Sequence, residues 1–478
     1  MAIKILSNEN LQEIFDNIED NNTLFSNYFT EQERTELNLQ DIPTKTIFEY
    51  GWFIQQIDIP ILYNLVDYYN NYYTYNLKKY FRVIIKNIFM KTKGLEELRF
   101  SHSNDMDYIM ELTLALPRSQ MLLSQITKVN FNIMHCSPFL ELSNYVKNIK
   151  YLIITFTCIN RNMDENIITL NIFKDLIKLI SVQNNLEYFD IKVVNNVSEW
   201  KMTKWRQIFF ELSKYSSHSI KYLKIEGCFD QEQTDLNFLS YCSNLEEFHL
   251  DSMIIDYDQM NCLKDIYLPK LFSFSFLDCW ITSVLKSNTS KKVWIDFISE
   301  FLKNHASTLK EIKLVHSKKS YLISFYNTIS FYCVNLTMLG LKLDHIFGYY
   351  KNDNKNHEVV LKEFKSVCSN CLKLKKIILF FSKYIYKIPD ELMLQFIQSL
   401  PNSIAFLSFE GLIELDIIKE ILRINYNLIN LDFYYYTCAD TLEEEINEEK
   451  GRKLKLWFDK KRISIHWTSI YKYFLNLL

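Results

Sequence analysis

Glycine and proline are nearly missing from this chain. Its 478 residues hold 7 Gly and 7 Pro, together about 3% where average usage gives roughly 12%. The closest glycines, Gly340 and Gly348, stand eight positions apart. No G-x-G-x-x-G, no G-x-x-x-x-G-K-S/T and no G-x-S-x-G can therefore occur, which excludes the Gly-rich phosphate cradle and the nucleophile elbow. Pro-rich and Gly/Ser-rich linkers are absent too, so nothing divides the chain into separate beads. An excess of one charge is also lacking: 54 basic residues face 57 acidic ones, a net charge of −3. Nothing in that balance draws the chain to nucleic acid. One uncharged run, Ser320 to Leu341, reaches membrane-spanning length, but it contains Asn327, Asn335 and Gly340. A buried helix followed by a buried strand is expected there, and no membrane association. No uncharged stretch precedes Glu9, so no secretory signal is expected. The ten cysteines follow no framework spacing and read as free thiols in a reducing cytoplasm or nucleus. Cys368 and Cys371 form one C-x-x-C with no second pair and no His nearby, short of a four-ligand zinc site. No metal and no cofactor is expected.

What is present is an apolar chain, 48% hydrophobic and 15% aromatic, far from the composition of disorder. One unit recurs along it: apolar-x-x-apolar-x-apolar. The first copy places Leu95, Leu98 and Phe100 at the apolar positions. Further copies begin at Ile126, Ile149, Leu186, Ile220, Leu245, Leu271, Leu309, Leu336, Leu374, Ile404 and Leu428. Twelve units thus start 23 to 38 residues apart. Asn leads several of them, at Asn148, Asn185, Asn244, Asn335 and Asn427. The last two apolar positions alternate as a strand requires.

Between the units the apolar period becomes helical. Trp205, Ile208, Phe209 and Leu212 share one face, as do Trp294, Phe297, Ile298, Phe301 and Leu302. A third stripe, Leu392, Met393, Phe396, Ile397 and Leu400, begins after Pro389-Asp390, a good helix start. Strand and helix alternating at about thirty residues describes a solenoid or a doubly wound sheet. The missing Gly-rich turns disfavour the second.

The unit resembles the leucine-rich repeat, LxxLxLxx(N/C). Its ninth position is Cys only at Cys228 and Cys279, so the side-chain ladder that ties such turns together is expected to be largely missing. The resemblance implies an irregular right-handed α/β leucine-rich-repeat solenoid, with a parallel concave sheet and a helical convex face. Repeats are expected over residues 95–440. Ile463, Ile465 and Trp467 alternate like a last strand within a C-terminal cap, residues 441–478.

The N-terminus carries a second resemblance. Leu11, Ile14, Phe15 and Ile18 lie at helical spacing and give one apolar face. Together with Leu6 and Glu9 they are similar to the opening helix of the F-box, LPxELLxxIFxxL, with Ser7 in place of Pro and Asn10 in place of Leu. Thr23, Leu24 and Phe25 stand where that family has its second helix, and Ile59-Pro60-Ile61-Leu62-Tyr63 where its fungal members end the motif. A small all-α F-box-like region (1–65), a helical connector and cap (66–94) and eroded repeats follow the layout of fungal F-box/leucine-rich-repeat proteins. That resemblance implies a substrate-recognition subunit of a cullin-RING, SCF-type ubiquitin ligase. Leu6, Leu11, Ile14, Phe15, Ile18, Leu24 and Pro60 would dock a Skp-family adaptor and through it a cullin. The repeats would bind a protein substrate, and the chain would be monomeric outside the complex. From the residues alone, a helical cap on a leucine-rich-repeat scaffold with no ubiquitin role remains the alternative.

No catalytic residues are expected. Glu247, His249 and Asp251 share one strand face as the nearest approach to an acid–base cluster, with no nucleophile beside them. The residues between and flanking the last two apolar positions of each unit should project from the sheet. In the middle units these are polar: Asp190, Lys192, Tyr222, Lys224, Glu226, Glu247, His249 and Asp251. The later units gather Met338, Ile378, Phe380, Phe406 and Tyr434 beside Lys342 and Lys376. Apolar residues on neighbouring strands are either a substrate-binding surface or a face beneath a covering segment. The first is the expectation carried forward.

Overall fold

The structure, a computed structural model, describes residues 56–58, 94–100, 119–133, 139–157, 165–194, 205–227, 236–282, 287–315, 319–342, 354–380, 390–410, 430–434 and 464–468. The chain divides into two compact units, Met1–Gln233 and Thr234–Leu478.

In unit 1 the strands are β1 (Gln56–Asp58), β2 (Glu97–Phe100), β3 (Lys128–Ile133), β4 (Tyr151–Thr157), β5 (Tyr188–Val194) and β6 (Tyr222–Glu226). Each pairs in parallel with the next in chain order. In unit 2 the sheet runs β7 (Glu247–Asp251), β9 (Ser273–Leu277), β11 (Glu311–Val315), β12 (Met338–Lys342), β13 (Lys376–Phe380), β14 (Phe406–Glu410), β15 (Asn430–Tyr434) and β16 (Ser464–Thr468), again all parallel. Two short strands, β8 (Ile254–Asp256) and β10 (Trp280–Thr282), pair separately. They follow β7 and β9 across the left-handed residues Ser252 (φ 53°) and Asp278 (φ 45°), which turn the chain out of the main sheet.

Among the described residues the helices are α1 (Ser119–Leu123), α2 (Phe139–Tyr145), α3 (Glu165–Ser181), α4 (Trp205–Ser216), α5 (Tyr257–Asp265), α6 (Ser287–His305), α7 (Lys319–Tyr332), α8 (Asn354–Asn370) and α9 (Asp390–Gln398). Strand–helix alternation with parallel pairing makes each unit an irregular α/β leucine-rich-repeat solenoid. All twelve recurring units form strands, and the alternating residues at Ile465 and Trp467 form β16. The run from Ser320 divides as expected into α7 and β12.

Hydrophobic burial explains the alternation. Leu98, Phe100, Val129, Phe131, Leu152, Ile154, Phe189, Ile191, Leu223 and Ile225 are buried on the helix side of unit 1, and the corresponding residues from Phe248 to Leu407 in unit 2. Each such side chain contributes roughly 1.5–3 kcal/mol. The stripes of α4 and α6 are buried throughout, as are Phe396 and Ile397 on α9 and Leu400 just past its end. Aromatic contacts lock helix to sheet: Phe156 meets Phe173 at 5.4 Å and Trp205 at 6.0 Å, and Phe274 meets Phe301 at 4.6 Å.

One expectation needs correction. The region 1–65 was expected to be helical, yet β1 lies within it and adds a strand ahead of the first repeat. Residues 1–55 and 59–93 otherwise lie outside the described residues, including Leu6, Leu11, Ile14, Phe15, Ile18, Leu24 and Pro60. Side chains at the helix ends and turns ahead of several strands link one repeat to the next. Gln183 accepts a hydrogen bond from the Ile149 amide (2.9 Å) and donates to the Val146 carbonyl (2.7 Å). Ser216 donates back to the Gln183 carbonyl at 3.2 Å. In unit 2 His305 accepts from the Leu268 amide at 2.9 Å, Cys371 reaches the Cys333 carbonyl at 3.4 Å, and Ser403 donates to the Leu374 carbonyl at 2.7 Å. Buried amides and carbonyls need partners, and these side chains supply them from one turn to the next.

Candidate functional site

The sheet face turned away from the helices is the surface on which side chains of successive repeats are set side by side. Parallel pairing without register slip aligns equivalent positions into rows, because each strand copies the phase of its neighbour. In unit 1 the first row reads Glu97, Lys128, Tyr151, Tyr188, Tyr222 and the second Arg99, Asn130, Ile153, Asp190, Lys224. In unit 2 the second row reads His249, Ser275, Lys313, Gly340, Ile378, Ser408, Asp432. These are the positions expected from the sequence.

The unit 1 face is aromatic and ionic. Tyr188 and Tyr222 stack at 3.9 Å with ring planes 7° apart, and Tyr151 joins Tyr188 at 5.7 Å. Around them, three carboxylates are each shared by two cations. Glu97 holds Arg99 (2.6 Å) and Lys128 (3.1 Å); Glu187 holds Lys221 (2.7 Å) and Lys150 (3.8 Å); Glu226 holds Lys192 and Lys224 (2.6 Å). The hydrogen bond from Lys221 draws the Glu187 carboxyl below its ordinary range; burial opposes it, and the charges of Lys221 and Lys150 add to the lowering. Burial pushes Glu226 upward, but the hydrogen bonds and charges of Lys192 and Lys224 together outweigh it and leave that carboxyl lowered as well. Each triad keeps one unit of positive charge.

Beside Tyr151 lies a groove of about 590 Å³, lined by Gly94, Leu95, Glu96, Gln125, Thr127, Lys150, Tyr151 and Glu187. Of the tyrosines only Tyr222 was singled out from the sequence. The signal for the other two was present: Tyr is the third residue of three consecutive units, at Tyr151, Tyr188 and Tyr222.

The unit 2 face differs. Met338 is 5% exposed and Ile378 7%, with Ser273, Ser275 and Ser408 buried as well. The expected exposed cluster of Met338, Ile378, Phe380, Phe406 and Tyr434 is corrected accordingly. Phe406 alone among the described side chains of that group is exposed, at 40%. Phe380 and Tyr434 lie on β13 and β15 in the expected register, with side chains outside the described residues. Alternation within a strand tells which residues share a face; it does not tell what that face packs against.

Glu247, His249 and Asp251 share the β7 face as expected, with His249 Nε2 3.4 Å from Glu247 Oε2. Cys368 and Cys371 are buried, and burial drives the Cys371 thiol up to about 11 and that of Cys368 further. Neither is a thiolate near neutral pH. Among the described residues no group of three or more His, Cys, Asp or Glu is placed to hold a metal ion. No described helix is long and apolar enough to cross a membrane.

No protein-family profile matches the chain, and no curated protein matches it. Among solved structures it is similar to the leucine-rich-repeat-containing protein LegL7 of Legionella pneumophila, at 10% identity and a TM-score of 0.34, covering 71% of this chain and 94% of that one. It is also similar to an internalin, InlF, of Listeria monocytogenes, at 8% identity and a TM-score of 0.29, covering 75% of this chain and 93% of the other.

Proposed function

We propose that this chain is a non-enzymatic protein-recognition subunit. Its repeat face holds a protein partner, and its N-terminal segment docks a Skp-family adaptor within an SCF-type ubiquitin ligase. The observation that carries the recognition half is the unit 1 face, where three tyrosines and three shared-carboxylate triads stand on adjacent strands at the sheet surface. Tyrosine combines a large apolar area with a polar tip and few rotatable bonds, which suits partner binding. The adaptor half rests on the F-box-like spacing of Leu6, Leu11, Ile14, Phe15 and Ile18 ahead of the repeats. Such a receptor performs no bond chemistry; it supplies proximity between a ubiquitin donor and the bound protein.

One observation favours a second reading, a scaffold with no ligase role. Strand β1, inside the segment assigned to the F-box, pairs with β2 of the first repeat, as a solenoid cap would. Co-purification of the intact chain with a Skp-family adaptor separates the two. Binding lost on Ile14→Glu or Phe15→Glu supports the receptor. An intact chain that captures no adaptor leaves the scaffold.

A further inference from the structure

The uncharged run from Ser320 is expected to form a buried helix and a buried strand, yet its middle is not buried. Phe331 at the end of α7 is 80% exposed, and Tyr332 and Val334 are exposed beside it. Leu372, in the turn after α8, is 78% exposed. These four stand together. The rings of Phe331 and Tyr332 lie 5.5 Å apart. Cys371 Sγ is 3.4 Å from the Cys333 carbonyl, and Lys373 Nζ is 2.8 Å from Asn335 Oδ1. Val334 and Leu372 each lie between two of those residues and are set side by side. The Lys310 carbonyl accepts the Thr337 amide at 2.8 Å, and the Thr337 carbonyl accepts the Lys375 amide at 2.9 Å. Lys310 and Lys375 therefore belong to the same edge of unit 2, where helices end and strands begin. That edge is basic. Residues 305–315, 327–342, 365–380 and 398–408, which build it, hold seven lysines and one acidic residue, Glu311. Glu311 is half-buried and accepts a hydrogen bond from Ser273 at 3.2 Å. Lys310, Lys373 and Lys375 are exposed. Lys373 bonds to a neutral amide, and Lys310 and Lys375 have no ion-pair partner among the described residues. Their charges are not cancelled locally.

We propose that this edge of unit 2 docks on the surface of an anionic lipid bilayer. Phe331, Tyr332, Val334 and Leu372 enter the headgroup boundary, and Lys310, Lys373 and Lys375 face the lipid phosphates and carboxylates. Aromatic rings settle at headgroup level, lysine stems lie along apolar surface with their ammonium groups in water, and each cation adds attraction to an anionic leaflet. Two other partners fit less well. Side chains as exposed as Phe331 and Leu372 stand proud of the protein, so a protein partner would need a hollow for each, and a fluid interface needs none. Nucleic acid answers the lysines but offers Val334 and Leu372 no apolar counterpart. The contact is peripheral, since no described helix is long and apolar enough to cross a membrane. It goes beyond the protein-recognition reading, does not depend on it, and revises the expectation of no membrane association.

The test is cosedimentation of the intact chain with vesicles of phosphatidylcholine alone and of phosphatidylcholine with about 30% phosphatidylserine. Binding to the serine-containing vesicles is expected, weaker by about tenfold or more on phosphatidylcholine alone. Lys373→Gln with Lys375→Gln should lower the affinity by about ten- to thirtyfold. Phe331→Ser with Leu372→Ser should lower it by about tenfold or more on the same vesicles. All four positions are exposed, and an unchanged urea midpoint shows that each pair keeps the fold. Phe210→Ser, an exposed ring on α4 of unit 1, should leave binding as it is. No binding to either vesicle overturns the proposal, as does binding that both pairs leave unchanged. Loss with the lysine pair but not with the apolar pair also overturns it, because charge alone then explains the attraction. Capture of the peptide acetyl-Glu-Phe-Glu-Leu-Glu-amide, lost in both pairs and without vesicle binding, overturns it in favour of an acidic protein partner.

Discussion

The two units run the same register on their outer faces and reach opposite results. In unit 1 the second row, from Arg99 through Ile153 to Lys224, is half-buried, and Arg99 and Lys224 pair with Glu97 and Glu226 two residues away on their own strands. In unit 2 Ser275, Gly340, Ile378 and Ser408 occupy that row and are buried, with only His249 and Lys313 half-buried among its described side chains. Long side chains with charged or hydroxyl tips cover their own stems and keep the tips in water. Ile153 in that row is nevertheless half-buried where Ile378 is buried. A repeat backbone therefore sets where side chains stand, and does not by itself set whether the face is a wet surface or an interior.

The largest break in that comparison should come from a charge placed at equivalent sites. Ile378→Lys puts an ammonium at a buried position and should lower unfolding stability by about 3 kcal/mol or more. Ile153→Lys, in the same row of unit 1, should cost less than about 1 kcal/mol; urea titration of both variants checks the contrast. If the two costs are alike, the faces do not differ as described. Next in size is Gly227→Ala, directly after β6. Gly227 has φ of 122°, and a Cβ there would lie 2.6 Å from the Val193 carbonyl oxygen. A loss of about 1–3 kcal/mol is expected, read as a lower denaturation midpoint at unchanged slope.

A double-mutant cycle of Tyr188→Leu and Tyr222→Leu should return about 0.5–1.5 kcal/mol of coupling. Zero coupling would mean the rings merely lie side by side. The smallest effect is expected on acidification, and it sharpens the comparison. Gln183 in unit 1 and His305 in unit 2 each accept an amide from the preceding turn, but only the histidine titrates. Burial holds the His305 imidazole below its ordinary pKa of 6.5, against the opposing effect of its bond to the Phe301 carbonyl. The unfolded chain therefore takes up this proton first. Stability is full above about pH 6.5 and falls as the pH drops from there toward the lowered folded value. His305→Gln should remove that slope from the melting temperature between pH 5 and 7.5, and an unchanged slope would assign it elsewhere.

Much of this architecture is legible in the residues. Apolar spacing marks twelve strands with their register, because a buried position tolerates little else. The stripe of Trp205, Ile208, Phe209 and Leu212 marks a helix for the same reason. Strands β8 and β10 escape notice since each is three residues long and lies beyond a left-handed residue, Ser252 or Asp278. The links made by Gln183, Ser216 and His305 are single polar residues at or just past helix ends and carry no period. Met338 and Ile378 stand at outward positions of their strands and are buried all the same, which strand alternation does not encode. The tyrosine row was readable but required lining up third residues across units rather than central ones.

One backbone detail bears on how such a chain changes over time. The carbonyl just ahead of a strand accepts two amides of the next repeat, from the residue ahead of its strand and from that strand's first residue: Glu96 from Thr127 and Lys128, Thr127 from Lys150 and Tyr151, Lys150 from Glu187 and Tyr188. In unit 2 Glu246, Phe272, Lys310, Thr337 and Lys375 do the same. The residues at this joint are acidic, basic, hydroxylated and aromatic, so the joint asks nothing of the side chain. Repeats of unequal length can be spliced, lengthened or shortened between joints while the stacking phase is kept. Mutation is then free to rewrite the outward residues one repeat at a time, and a new binding face can arise without passing through an unfolded ancestor.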